Sequence, residues 1–241
     1  RWERRIDRPI LGLRSEQDGR VVDQGQEVRS HFHGHIGLSP ISDPFEPWFF
    51  GPSNPTLGNP DLTNGDVIAY ADVVGAFPTY VHPMGNDEDP FEEGREDTIP
   101  LELISDGVLS QNMGIELVCA WTSPLGNAEV WYRLLNIGRP VAAMSGTDGW
   151  VDFHRTPAMG TARNYVRVSG GQTGFDEALA AAAAGRGFVT TGPVLIFGLA
   201  DGSAPGDVTS PGMTRWDATL ISTTAVEVFE IVQSLDEPLH V

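Results

Sequence analysis

The chain has 241 residues, 40% of them hydrophobic and 20% charged, enough for one large domain or one and a fraction. Its 15 basic and 33 acidic residues leave a net charge of −18, which repels phosphate backbones, argues against nucleic-acid binding and suits metal cations, solubility and an extracytoplasmic setting. Nothing approaches the run of about eighteen apolar residues that a membrane span needs, and the single cysteine, Cys119, allows no intramolecular disulfide.

The first residue is arginine and no signal peptide precedes it, so the chain is expected to be incomplete at its N-terminus. A charged piece, 1–8, leads to a short apolar segment at 9–13, a turn at Asp18-Gly19 and a strand over 20–23. Next comes Gln26-Glu27-Val28-Arg29-Ser30-His31-Phe32-His33-Gly34-His35-Ile36, which holds three of the six histidines at alternating positions just after a glutamate. In an extended segment His31, His33 and His35 share one side. Neutral imidazoles beside a carboxylate suit zinc, iron or manganese, whereas a lone histidine on such a strand is usually a packed core or rim residue.

Residues 39–64 form a long loop rich in proline and aromatics, either a lid or specificity element or a packed irregular segment. Thr63-Asn64-Gly65-Asp66 reads as a helix start for a short helix over 67–74, and 76–83 as a strand ending at His82-Pro83. The acidic loop 84–98 carries seven carboxylates, read as a solvated face. The segments 100–106 and 114–120 are apolar, the second a buried strand containing Cys119 as an inert thiol. Val130 with Leu134, and Trp131 with Leu135, predict a helix over 127–136 closed by Gly138. A small-residue strand over 140–149 ends at Asp148. A strand over 161–168, a helix over 175–184 and a strand over 188–191 follow. This rhythm from 65 to 191 predicts βαβ units and a mostly parallel sheet. From 192 onward, short alternating strands such as 218–222 and 226–232 predict the start of an antiparallel β module, giving domains 1–198 and 199–241.

In parallel α/β sheets, ligands sit at the carboxyl ends of strands. The polar residues expected there are Glu27, the histidine cluster, His82 and Asp148, a set that suits a metallohydrolase. Each has a plainer reading: His82 as a residue before a turn, Asp148 as a cap. No Gly-x-Ser-x-Gly elbow, Walker loop or dinucleotide-binding glycine pattern competes.

Gly25-Gln26-Glu27, Gly34-His35-Ile36, Tyr80-Val81-His82-Pro83, Trp131-Tyr132-Arg133-Leu134-Leu135-Asn136 and Ser145-Gly146-Thr147-Asp148 together resemble the polymerase-and-histidinol-phosphatase (PHP) superfamily. With Gly160-Thr161-Ala162-Arg163-Asn164-Tyr165-Val166 and the stretch 184–193 they look most like its carbaryl-hydrolase-like CehA/McbA branch, over roughly residues 20 to 200. The resemblance implies an α/β fold, a distorted (β/α)7 barrel of the TIM type holding two or more divalent ions. It implies Glu27 as a bridging carboxylate, with His35, His82 and Asp148 as further metal ligands. A metal-activated water would attack an ester, carbamate or phosphoester of a small-molecule substrate, with Glu27 and Asp148 in the catalytic machinery. Arg163 would steady an anionic group, its plainer reading being a surface ion pair. Two departures stand out. The family's opening His-x-His strand has no counterpart in 1–26, and Trp150 stands where a histidine often follows the aspartate, with His154 nearby. A carbohydrate- or ligand-binding module, or a degenerate PHP-like protein, is therefore kept beside the hydrolase reading. Convergence of Glu27, His35, His82 and Asp148 discriminates between them.

Overall fold

The computed structural model describes residues 14–30, 32–51, 61–85, 89–93, 99–110, 112–120, 122, 124–149, 157–170 and 174–232. His31, Trp150 and His154, with parts of the proline-rich and acidic loops, lie outside the described residues. Strands β1 (Ser15–Gln17) and β2 (Arg20–Val22) form a hairpin about Asp18-Gly19, both with positive φ as a tight turn requires. Then come β3 (Gln26–Ser30), β4 (His35–Ser39), β5 (Phe49–Phe50), helix α1 (Asn64–Val74), β6 (Phe77–Val81), α2 (Leu103–Leu109), β7 (Gly114–Cys119), α3 (Pro124–Asn136) and β8 (Ala142–Gly146). The chain continues through β9 (Arg163–Val166), α4 (Phe175–Ala183), β10 (Gly187–Thr190), β11 (Val194–Leu199) and β12 (Trp216–Ile221).

Six strands make one mixed sheet in the order β5-β3-β4-β6-β7-β8, with β4 running against the others. Of the strands between 65 and 191, where a mostly parallel sheet was expected, β6, β7 and β8 are parallel; β5 and β3 also pair in parallel. β9 and β10 stand apart as an antiparallel pair, and early in the chain β3 and β4 pair antiparallel. The single extended histidine strand is also overturned. Phe32 and His33 form a turn, and Gly34 adopts φ +99, so His33 lies in the turn and His35 opens the following strand. The antiparallel module appears as β11 paired with β12, a pairing that spans the expected boundary at 198. Residues 226–232 form no strand beyond a single bridge, although their apolar alternation suggested one.

The period-two alternation of β3, β4 and β6 divides the sheet into two unlike faces. Val28, Ile36, Leu38, Tyr80 and Ile115 pack on Val67, Ala71, Leu103, Val130 and Leu134 of the helices. Each such large side chain contributes roughly 1.5–3 kcal/mol by leaving water. The opposite face carries Glu27, His35, Val81 and Glu116, brought into one layer by the pairings Glu27↔Gly37, Gly37↔Thr79, His35↔Val81 and Thr79↔Gly114.

One polar network crosses the apolar face. The Tyr80 hydroxyl donates to Asp106 Oδ2 at 2.6 Å and accepts from Asn64 Nδ2 at 3.0 Å, and all three residues are buried. Burial raises the Asp106 carboxyl above its ordinary range and Glu102 adds to it, against the lowering effects of the Tyr80 hydroxyl and His33. A carboxyl raised in the folded state adds stability below its unfolded pKa, and that contribution is lost as pH rises through the folded pKa. Asp106→Asn, whose amide oxygen still accepts from Tyr80, should therefore gain on the wild type as pH climbs from about 4 to about 7. Urea unfolding across that range tests this; a difference independent of pH would contradict it.

Candidate metal centre

Glu27, His35 and His82 converge on the polar face, where β6 ends and the oppositely running β4 begins. Because β4 is antiparallel, its first residue lies at the same edge as the last residues of β6. Glu27 Oε1 lies 2.9 Å from His35 Nδ1 and 3.3 Å from His82 Nε2, and the two rings meet edge to face at 5.0 Å. The three ligand atoms all fall within 4.8 Å of one another, the one such group of three or more among the described residues. Ligand atoms about 2.1 Å from a tetrahedral zinc ion stand roughly 3.4 Å apart.

The His35–Glu27 contact has a telling geometry. His35 Nδ1 is buried and, despite its 2.9 Å approach to the carboxylate, makes no aligned hydrogen bond. His82 Nε2, by contrast, meets the same Glu27 Oε1 as a hydrogen-bond partner at 3.3 Å. One carboxylate with two imidazoles is also the donor set of catalytic zinc sites that keep an open coordination position. The residues present fit a divalent ion.

Electrostatics agree. Burial would raise the Glu27 carboxyl, but His35, His82 and Arg29 outweigh it and hold it well below the usual carboxylate range. Arg29 Nη2 lies 3.2 Å from Oε2, leaving Oε1 to the histidines. Burial would lower the His82 imidazole, but the carboxylates of Glu27, Glu116 and Asp148 prevail and raise it. No protein-family model, curated protein or solved structure matches the chain. The donor geometry is therefore what speaks for a function.

Of the other expected residues, Asp148 follows β8 at φ +48 and its charge reaches both His82 and Glu116, placing it beside the centre though outside the three-residue group. Arg163 is exposed at the start of β9, in the separate two-stranded pair. His33 belongs to another environment: its ring is 6.1 Å from Phe50 and its Nδ1 is 3.6 Å from Glu102, beyond hydrogen-bond reach.

Sequence reasoning missed three features. Glu116 lies in an apolar run, and its only signal is a lone acid in a buried strand; it is 5% exposed. Arg29 sits two residues from Glu27, on the same side of a strand, a relation visible only once the strand is placed. The third is a cavity of about 510 Å³ opening beside His35 and His82, walled by Phe32, Val81, Pro83, Ile99 and Leu101. Segments distant in sequence build it. The turn is also tied down: Leu101 N–H donates to Phe32 O at 2.9 Å, while Asn64 Nδ2 donates to His33 O at 2.9 Å and Gly34 O at 3.0 Å.

Proposed function

We propose that the chain is a divalent-metal-dependent hydrolase acting on an uncharged ester or carbamate of a small molecule, on a PHP-type (β/α)7 barrel resembling the CehA/McbA branch. The observation that carries this reading is Glu27 Oε1 facing His35 Nδ1 and His82 Nε2 at 2.9 and 3.3 Å. A sheet with helices on one face and ionisable groups on the other also suits a barrel wall. Three of the four expected residues converge, with Asp148 outside the group, and that partial convergence favours a metal site over a ligand-binding module without one. Zinc, manganese and iron all suit the donor set, and a second ion would draw on Asp148.

A divalent ion there supplies Lewis acidity and an acidified water. The chain's own groups do the rest. Arg29 fixes the Glu27 carboxylate through Oε2. The Asp148 carboxylate takes up the proton released on attack. The apolar wall of Phe32, Ile99 and Leu101 holds the acyl or alcohol group and excludes solvent from it. The described lining of that cavity holds no lysine or arginine, whereas a phosphoester dianion calls for cationic donors; this supports an uncharged substrate.

Chelator treatment should abolish hydrolysis of 4-nitrophenyl esters, and zinc, manganese or iron should restore it. Turnover of 4-nitrophenyl phosphate should be at least about tenfold slower. Ester hydrolysis indifferent to chelation sinks the metal reading. Faster phosphate turnover sinks the substrate assignment alone.

A further inference from the structure

Glu116 touches none of the three converging ligand atoms, yet its placement is strongly constrained. It sits on β7, the middle of the three parallel strands, with 5% of its surface exposed. Oε2 accepts a 2.6 Å hydrogen bond from the backbone N–H of His82, the residue just after β6. His82 has φ +36, in the left-handed region that a side chain with a β-carbon adopts only at a cost. On the other side, Oε1 lies where a β-carbon on Gly146 of β8 would fall, so only glycine leaves room for the carboxylate.

We infer that Glu116, seated in the space left by Gly146, is a positioning residue that holds the backbone of His82 in its left-handed conformation and so aims its imidazole at Glu27 Oε1. Three adjacent strands cooperate. β8 supplies the vacancy, β7 the buried acceptor and β6 the ligand. Buried acids are costly unless partnered, and this one meets the main-chain donor of a non-glycine residue at positive φ. The inference rests on His82 being a metal ligand as proposed above.

The test uses Glu116→Gln, Glu116→Ala and Gly146→Ala, each checked for folding by circular dichroism and thermal melting. Two readouts are taken. The first is the His82 amide resonance in metal-free protein. A donor to a buried carboxylate is shifted downfield and protected from hydrogen exchange. The second is cobalt(II) affinity, by competition with a chelator, together with the visible ligand-field spectrum. Glu116→Ala and Gly146→Ala should both lose the protected amide, weaken cobalt binding about 10- to 100-fold and alter the spectrum. Gly146→Ala should do so while deleting no ligand and no hydrogen-bonding group. Glu116→Gln keeps an oxygen acceptor and should remain within about threefold of wild type. Should Glu116→Ala fail to fold, the other two variants decide.

A wild-type-like amide and affinity in Gly146→Ala overturns the inference. So does a Glu116→Gln variant as impaired as an alanine or glycine-site variant. Wild-type protein that binds no cobalt overturns the metal centre itself and with it the ligand role of His82. The amide signal, read without metal, separates that failure from a failure of Glu116 to hold the His82 backbone.

Discussion

Replacing Glu27 with glutamine is expected to weaken divalent-metal binding by two to three orders of magnitude, the largest effect of any single change to this chain. Glu27 Oε1 is the atom that both histidine nitrogens approach, at 2.9 and 3.3 Å. Structural zinc sites bind with roughly 10–16 kcal/mol, so one of three or four ligands carries about 3–4 kcal/mol. At about 1.4 kcal/mol per factor of ten, that is some 10²- to 10³-fold. The glutamine is nearly isosteric and keeps one oxygen, so the loss reports charge and donor strength, not a cavity. It also loses the contacts with His35, His82 and Arg29 that favour the ionised carboxylate, so its melting temperature without metal should fall as well and is measured alongside. Elemental mass spectrometry of protein purified at equal metal exposure, with His82→Ala alongside, gives the stoichiometry; titration gives the affinity. Retention of metal by both variants at wild-type stoichiometry would mean that the ion, if any, sits elsewhere.

The second large effect is on the fold itself. Asn64→Ala should cost about 2 kcal/mol, at roughly 1 kcal/mol for each of the two amide protons that its three acceptors share, with more where buried partners are left unsatisfied. Asn64 is fully buried at the start of α1, and its amide donates to Tyr80 Oη, His33 O and Gly34 O. The Thr63–Asp66 capping box holds the helix end in place, with Asp66 Oδ2 accepting from Thr63 N–H at 2.8 Å. The amide thus clamps the turn to a rigid helix terminus one residue before His35. Gly34 makes the turn unforgiving: with φ +99, a β-carbon there would sit 2.7 Å from Pro100 Cβ and 2.8 Å from the Tyr80 ring. Loss of the clamp should therefore lower metal affinity as well as stability, whereas an ordinary core truncation on α3, such as Val130→Ala, should lower stability alone. Chemical denaturation and metal titration on the two variants make the comparison. Wild-type affinity in Asn64→Ala at reduced stability would show that the turn holds its shape without the clamp.

Local patterns were legible wherever local physics decides. The α1 start at Thr63-Asn64-Gly65-Asp66 follows from side-chain capping of free backbone donors. The helix 127–136 follows from apolar spacing, and the structure extends it to Pro124–Asn136. The buried strand at 114–120 appears as β7 in the helix-backed sheet. Glu27, His35 and His82 stood out because imidazole and carboxylate at strand ends are costly to place without a purpose.

The sequence by itself determined the residue types of the site, most of the helices and strands, and the absence of any apolar run long enough to span a membrane. The family resemblance had singled out His35, but the physical separation of His33 from His35 came only with the tertiary structure. Alternation put His31, His33 and His35 on one face, but the left-handed turn at Gly34 sends His33 toward Phe50 and Glu102 and His35 toward Glu27. The strand pairing was also beyond local reach, since whether β4 runs with or against β3 depends on which partner covers each edge. So was Glu116, which is unremarkable in an apolar run until β6 and β8 bring His82 and Gly146 to either side of it. Local free energy is set by neighbours along the chain, and the site by neighbours across strands.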